Sequence, residues 1–402
     1  MTESVPLLAG LPMTRPASSP FDPPEELARL REQNPLCRMV FPDGHVGWLA
    51  TSHALVRTVL ADTHFSSRYE LLHSPLPGEA AMERTPPAPP GLFIGMDAPD
   101  HTRYRSLLTG KFTVRRMQQL TQRVEEITAE HLDAMEHHGP PTDLVDAFAE
   151  PIPALVICEL LGVSFGDREF FHSHVKKVND IDATPEAKHG AFAALQQYLQ
   201  ELVSTKRTTP TDDMLSDIAV GDLSDEELTN IGVLLLGGGF DTTANMLALG
   251  TFALLQNPDQ LDVLRADPAL TDQAVEELLR YLSITHTGMR TALEDVELGG
   301  RLVKAGECVA LSAVAANRDP DKFPDPDRLD LRRHSAGHVA FGHGVHQCLG
   351  QQLARIEMRV ALPALINRFP TLRLDVPAEE VPLRTDSDIS GVHSLPVTWD
   401  VS

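Results

Sequence analysis

One cysteine stands where the sequence can make it a metal ligand. Cys348 follows a glycine-rich turn that begins at Phe341, and it precedes a helical pattern from Gln351 to about Arg368. Backbone N–H groups at the start of a helix are unpaired and, with the helix dipole, lower the pKa of a nearby thiol. We therefore expect a thiolate at Cys348 that binds a metal.

Zinc and iron–sulfur sites require several cysteine or histidine ligands at close spacing. The sequence around Cys348 supplies no second cysteine. A single thiolate favours a haem, and a buried structural cysteine beside a turn is the alternative. The motif Phe341-x-x-Gly344-x-x-x-Cys348-x-Gly350 resembles the haem-ligand signature of the cytochrome P450 family. The resemblance spans nearly the whole chain and implies haem b (iron protoporphyrin IX), with Cys348 as the iron ligand and Phe341 and Gly350 beside it. The other cysteines are Cys37, Cys158 and Cys308.

A second stretch places glycines inside a long helical pattern. The pattern starts at Ser224, whose spacing from Glu227 predicts a capping box, and it runs to Gln256. Three consecutive glycines, residues 237–239, stand in its middle, although glycine costs a helix about 1 kcal/mol relative to alanine. They make room either for a flat group against the backbone or for the close packing of another helix.

Asp241 and Thr242 follow these glycines. The Thr242 hydroxyl can bond to a carbonyl group one turn earlier and open a notch in the helix. The resemblance implies that this notch is an oxygen-binding groove, with Gly238 against the haem. It also implies that Asp241 and Thr242 are the catalytic acid and alcohol that deliver protons.

Four basic residues are candidates for binding the carboxylates of the haem. His101 and Arg105 stand at positions i and i+4 of a predicted helix, where both can reach one anion. Arg290 lies in a strand-like run, and His346 precedes Cys348 by two residues. The resemblance implies that all four contact the haem propionates, whereas a lone histidine is more often a core residue.

The segment from His101 to Met117 is basic and contains no acidic residue, in a chain with a formal charge of −23. A solvated surface is the common explanation of such a charge run. The resemblance implies instead that a ferredoxin or a similar acidic electron donor docks there. The expected docking residues are Arg103, Lys111, Arg115 and Arg116.

Glu277 and Arg280 have the spacing that places a carboxylate and a guanidinium on one helix face. On a protein surface such a pair contributes little. The resemblance implies a buried pair that a third residue, Arg328 of a later proline-rich segment, completes. We expect this triad to stabilise the fold and to take no part in the chemistry.

The substrate cavity has the weakest sequence signal. Residues 74–99 are rich in proline and cannot hold regular structure, and the resemblance makes them the roof of the cavity. Core packing or solvent exposure is the alternative for each cavity candidate. The residues that we expect to line the cavity are Leu92, Ile94, Val178, Leu235, Thr285, Met289 and Ile389.

The chain has 402 residues, 42% of them hydrophobic and 23% charged, which is a globular composition. The resemblance favours a single domain over residues 1–402, mainly α-helical with small β-sheets, in which the haem lies between the long central helix and the helix after the cysteine. Residues 1–20 read as an extended segment without the features of a signal peptide or a membrane anchor. We expect a soluble, cytoplasmic monomer, and the negative charge argues against nucleic-acid binding.

These features predict a monooxygenase that inserts one atom of O2 into a lipophilic small molecule, such as a polyketide, terpenoid, steroid or xenobiotic, by hydroxylation or epoxidation. A ferredoxin and its reductase would supply the electrons. A peroxide-driven haem-thiolate enzyme and a non-catalytic haem sensor are the alternatives. The intact Asp241–Thr242 pair disfavours the first, and a sensor does not need a proton-delivery notch.

Overall fold

A computed structural model describes residues 7–16, 19–76, 85–111, 114–179, 183–285, 287–384 and 389–401. The chain folds mainly into α-helices with small β-sheets, which confirms the predicted fold class. In chain order the α-helices are α1 Glu25–Gln33, α2 His53–Ala61, α3 Asp100–Thr109, α4 Val114–His138, α5 Pro151–Leu161, α6 Arg168–Asn179, α7 Pro185–Thr208, α8 Met214–Ala219, α9 Asp225–Gln256, α10 Pro258–Ala266, α11 Thr271–Leu282, α12 Ala313–Ala316 and α13 Gln351–Arg368.

Within the residues that the structure describes, the strands form one larger sheet and three small ones. The strands are β1 Leu7–Leu8, β2 Leu36–Val40, β3 Val46–Ala50, β4 Phe65–Ser66, β5 Thr142–Asp143, β6 Thr287–Ala292, β7 Val296–Leu298, β8 Arg301–Val303, β9 Cys308–Ser312, β10 Arg373–Leu374, β11 Leu383–Arg384, β12 Gly391–Val392 and β13 Pro396–Thr398. The larger sheet has the order β1-β2-β3-β9-β6-β4. The smaller sheets are β10-β13-β5, β11-β12 and β7-β8.

The central element is α9, which has 32 residues and is therefore about 48 Å long. The predicted capping box is present, since the Ser224 hydroxyl accepts from the Glu227 N–H while the Glu227 carboxylate accepts from the Ser224 N–H. The helix ends at Gln256, immediately before Asn257 and Pro258. Proline disfavours the helical conformation of the residue before it, which explains this end.

Helices α5, α7 and α13 pack against α9. Side chains around much of its circumference are buried, among them Leu228, Phe240 and Phe252, and each contributes about 1.5–3 kcal/mol through burial. By length and mean hydropathy α9 could also cross a membrane, but more than half of its most apolar window is buried inside the fold. A helix that is apolar all round is typical of a protein core.

Candidate active site

The loop that carries Cys348 folds back on itself before α13 begins. The backbone N–H of Cys348 donates to the carbonyl oxygen of Phe341 at 2.9 Å and closes the turn. Gly344 has a φ of +75°, and a Cβ at this position would collide with the carbonyl oxygen of Leu60. Glycine is therefore required where the loop meets the end of α2.

The Cys348 side chain is half-buried, and desolvation raises the pKa of its thiol. Hydrogen bonding from the Gly350 backbone opposes this shift, as do the charges of Arg105 and Arg355 and the Gln351 backbone. The predicted lowering of this pKa was therefore wrong for the protein alone, because desolvation outweighs the favourable groups at the helix start. A metal cation bound to the sulfur would favour the thiolate.

The four predicted basic residues are brought together. The ring centroids of His101 and His346 are 4.0 Å apart. Burial, followed by the charges of Arg290, His101 and Arg105, lowers the pKa of His346 to about 3. Burial is also the main reason that the pKa of Arg290 falls to about 10. An anion bound between such clustered basic groups would favour their charged forms.

Two further features fit a haem. Nε2 of His101 is buried and has no hydrogen-bond partner within the described part of the chain, so it can donate to a carboxylate. A Cβ at Gly238 or at Gly350 would meet no atom within 4 Å, which leaves open space against the backbone of α9 and beside the cysteine loop. The thiol, the basic cluster and the bare glycines thus match the iron, the carboxylates and the flat faces of the cofactor.

The notch in α9 has the predicted hydrogen bond. The Thr242 hydroxyl donates to the carbonyl oxygen of Gly238 at 2.9 Å. Gly239 has the second role that the sequence allowed, which is close packing against another helix. A Cβ at Gly239 would lie 3.0 Å from Cδ1 of Ile157 on α5. One glycine of the run therefore opens the groove, and the next permits close helix packing.

Asp241 is held by two side chains that the sequence analysis did not identify. Nη1 of Arg384 lies 2.7 Å from Oδ1 of Asp241, and the two side chains are 17% and 16% exposed. Nδ2 of Asn245 donates to the same oxygen at 3.2 Å and to the Asp241 carbonyl at 2.8 Å. Asn245 could have been suspected from its i+4 spacing, whereas Arg384 lies 143 positions away and carries no local signal.

A largely apolar cavity lies between α6, α7 and α9. Val178 is the one predicted substrate residue that lines it. Gln196 and Asp241 are its polar members. The full lining is Val178, Phe192, Leu195, Gln196, Val233, Leu236, Gly237, Phe240 and Asp241.

The other predicted cavity residues lie elsewhere. Leu92 and Leu235 are half-buried, whereas Ile94 is 47% exposed. Thr285 and Ile389 form an isolated β-bridge with each other. Met289 pairs with Ala310 in the larger sheet and packs against a small cluster that includes Met39 and Phe41.

An ion-pair network behind the cysteine loop was also missed. The Glu276 carboxylate on α11 accepts from Nη2 of Arg355 at 3.0 Å and contacts Nε2 of His338 at 3.1 Å. The Arg355 guanidinium lies 4.6 Å from the centroid of the Phe341 ring. Burial works to raise the pKa of Glu276, but its bonds to His338 and Arg355 lower it to about 2.

The buried pair Glu277–Arg280 is present, with Nε of Arg280 2.7 Å from Oε2 of Glu277 and both side chains fully buried. The predicted third member was wrong. Arg328 is 69% exposed and pairs with Asp330, whereas Nε of Arg333 lies 3.1 Å from Oε1 of Glu277. The proline-rich loop turns back after residue 325, which directs the later arginine to the carboxylate.

The basic segment lies on two helices, α3 and α4, and three of its arginines are paired with acids. The pairs are Arg103 with Glu227, Arg115 with Asp212, and Arg116 with Asp217. The run is therefore partly neutralised by residues distant in the sequence.

A mainly helical fold that combines a loop cysteine, a basic cluster around the buried His101 and an open glycine groove is typical of the haem-thiolate class of protein. The family model for Cytochrome P450 matches residues 168–398. The chain belongs to the cytochrome P450 family and is an enzyme with a haem cofactor.

Curated relatives and solved structures agree with this assignment. Cytochrome P450 105C1 from a Streptomyces species is 51% identical and aligns over 94% of this chain and 96% of its own length. Pentalenic acid synthase from Streptomyces avermitilis is 43% identical over 94% of this chain and 95% of its own. The crystal structure of CYP105P1 in complex with filipin I has a TM-score of 0.90 and 41% identity, with coverage of 98% of this chain and 100% of that one.

Proposed function

We propose that this P450 is a monooxygenase that hydroxylates or epoxidises a lipophilic small molecule, such as a polyketide, terpenoid, steroid or xenobiotic. One atom of O2 enters the substrate and the other leaves as water, so the reaction requires protons as well as electrons. The observation that carries the proposal is the Thr242 notch beside the open face of Gly238, with an ion-paired carboxylate next to it. A protein that only bound haem would not need this arrangement.

The cofactor is proposed to be haem b. Cys348 would ligate the iron, Phe341 and Gly350 would lie beside the sulfur, and the open backbone at Gly238 would lie against the haem. His101, Arg105, Arg290 and His346 would neutralise the propionates, since they form one basic cluster around the buried His101. When bound, the haem supplies the activation of O2.

The residues of the chain position the reactants and control protons. The apolar lining of the cavity between α6, α7 and α9 favours a lipophilic substrate and excludes water. Thr242 would hold a proton donor at the Gly238 notch, and Asp241 would pass protons to it from solvent. Two similar proteins, pentalenic acid synthase and CYP105P1 in its complex with filipin I, support a natural product as substrate.

A ferredoxin or similar acidic carrier is the proposed electron donor, and it would dock near Arg103, Lys111, Arg115 and Arg116. The Arg115 and Asp212 side chains are 77% and 64% exposed, so their pair contributes little and Arg115 can exchange partners. Charge reversal at Lys111 and Arg115 should slow reduction at low salt, whereas Arg332→Glu at another exposed arginine should not. Equal reduction rates in all three variants would place the docking surface elsewhere.

Turnover with a surrogate ferredoxin and its reductase tests the main proposal. Lipophilic compounds would first be screened for a spin-state change in the absorption spectrum. The compounds that bind should then yield oxygenated product in proportion to NADPH consumed and O2 taken up. Product formed only with added peroxide would favour a peroxygenase, and binding without any turnover would favour a sensor.

The proposed form of the enzyme is a cytoplasmic monomer with a single domain. The supporting observation is that α9, the apolar helix, is covered by α5, α7 and α13. Size-exclusion chromatography with light scattering and cell fractionation would test this. A dimer or a membrane-bound fraction would contradict it.

A further inference from the structure

The hairpin β11–β12 lies against α9 at the level of Asp241. Its register pairs Leu383 with Val392 and Arg384 with Gly391. Arg384 on β11 therefore lies directly opposite a glycine, Gly391, on β12. Strand β12 packs on α9, so this pair of residues faces the helix that carries the acid.

Gly391 permits the hairpin to approach closely. A Cβ at Gly391 would collide with Oδ1 of Asn245, the residue one turn after Asp241. Asn245 is buried and uses its amide nitrogen to donate to the Asp241 carbonyl and carboxylate. The bare backbone of β12 thus fixes Asn245, and Asn245 in turn constrains Asp241.

Arg384 supplies the second constraint. Its Nη1 lies 2.7 Å from Oδ1 of Asp241, the oxygen that also accepts from Asn245. Both side chains of the ion pair are more than four-fifths buried, and charge-assisted hydrogen bonds in such surroundings fix geometry more firmly than neutral bonds do. The carboxylate is therefore held on one oxygen from two directions, directly before Thr242 in the sequence.

We propose that Arg384 is a positioning residue for proton delivery, which acts by holding the Asp241 carboxylate beside the Thr242 notch. The inference rests on the function proposed above, and it adds a residue from the C-terminal hairpin to the acid–alcohol pair. Arg384 need not touch substrate or haem for this role. A purely structural role, in which the pair only attaches the hairpin to α9, makes a different prediction.

The test compares Arg384→Gln and Arg384→Lys with a matched control, Arg373→Gln. Arg373 also pairs with an aspartate, Asp400, but this pair is 54% and 66% exposed. At equal haem content and with an unchanged substrate-induced spin-state shift, Arg384→Gln should lower the yield of product per NADPH roughly tenfold and change the solvent isotope effect on turnover. Arg384→Lys should recover much of the yield, and Arg373→Gln should match the wild type.

A second measurement does not use turnover. Urea unfolding of Arg384→Gln, Asp241→Asn and the double variant forms a double-mutant cycle. If the two residues act on each other, the midpoint shift of the double variant will be smaller than the sum of the single shifts. Additive shifts would overturn the proposal, because they would show that the ion pair has no effect in solution.

The outcomes separate this proposal from the proposed function. If Asp241→Asn loses product yield while Arg384→Gln retains the wild-type yield, Arg384 is structural only and the positioning role is refuted. If Asp241→Asn and Arg384→Gln both keep the wild-type yield, the proton path through Asp241 fails together with this inference. If the wild type itself oxygenates nothing, the proposed function fails, and the unfolding cycle still decides whether the pair interacts.

Discussion

Nε of Arg333 lies 3.1 Å from Oε1 of Glu277, at the position that the sequence analysis assigned to Arg328. The Ser335 hydroxyl and the Asp330 N–H also bond to this fully buried carboxylate. Arg280 holds the opposite side and donates to the carbonyl oxygens of Asn317 and Pro326. The network therefore joins α11 to the loop that leads to the cysteine motif.

Removal of Arg333 should destabilise the fold strongly. Arg333→Ala removes one of the two arginine partners of a fully buried glutamate, and we expect a loss of about 1.5–3 kcal/mol in the free energy of unfolding. Arg328→Ala should cost less than about 1 kcal/mol, because the side chain is largely exposed. Urea denaturation of both variants measures the difference, and a larger effect at Arg328 would refute the corrected triad.

The triad shows where sequence reasoning ends. The Glu277–Arg280 spacing of i and i+3 follows from helix geometry and can be read from four consecutive residues. The choice between Arg328 and Arg333 depends on the path of an irregular loop, in which Asp325 has a φ of +47° and its carbonyl accepts from Arg333. No periodic pattern encodes that path.

The same distinction applies to the site. The capping box, the glycine run and the Thr242 back-bond are local features of one helix, and all were predictable. The Asp241–Arg384 pair joins residues 143 positions apart. The sequence motif could identify Asp241, but it could not identify Arg384 as the side chain that holds it. The cavity candidates had no spacing rule, and of these Val178 lines the cavity between α6, α7 and α9.

Acid should weaken the fold through Glu276. The pKa of Glu276 is about 2, below its ordinary value of 4.5, so its ionised form stabilises the folded state fully above pH 4.5. This stability is lost as pH falls from 4.5 to about 2. Glu276→Gln should therefore cost on the order of 1–3 kcal/mol at pH 7, and the difference from wild type should vanish near pH 2.

Denaturation across this pH range measures the effect. The control is Glu26→Gln, because the Glu26–Arg29 pair is exposed and should contribute little at any pH. A cost of Glu276→Gln that did not change with pH would mean that packing of the side chain, and not its charge, stabilises the fold.

His101 should matter for haem retention and not for the stability of the apoprotein. Its Nε2 is buried without a partner in the described residues, so His101→Phe removes no hydrogen bond at this atom and should leave apoprotein stability nearly unchanged. The variant should lose haem to an acceptor protein about tenfold faster, since the proposed propionate contact would be missing.

His53→Phe is the matched control for this substitution. His53 is also buried, but its Nε2 bonds to the Gly337 carbonyl at 2.8 Å, so the substitution should destabilise the apoprotein by about 1–3 kcal/mol. Equal haem loss from wild type and His101→Phe would remove His101 from the propionate site.

Thr242→Ala should separate consumption of reductant from product formation. Without the hydroxyl at the Gly238 notch, haem and substrate binding should persist while NADPH is diverted to peroxide, with a product yield lower by roughly tenfold. Thr251→Ala is the control, because Thr251 makes the same back-bond, to Leu247 at 2.8 Å, about two and a half turns further along α9. Equal product yields in Thr242→Ala and wild type would exclude Thr242 from proton delivery.

The absorption spectrum of the reduced protein with and without carbon monoxide tests the central assignment most directly. Wild type should show the strong red shift of the Soret band that identifies a haem with a thiolate ligand. Cys37→Ser should keep the shift, because Cys37 is buried in the separate cluster under the larger sheet. Cys348→Ser should lose it. An unchanged spectrum in Cys348→Ser, or a wild-type spectrum typical of histidine ligation, would contradict the assignment of Cys348 as the iron ligand.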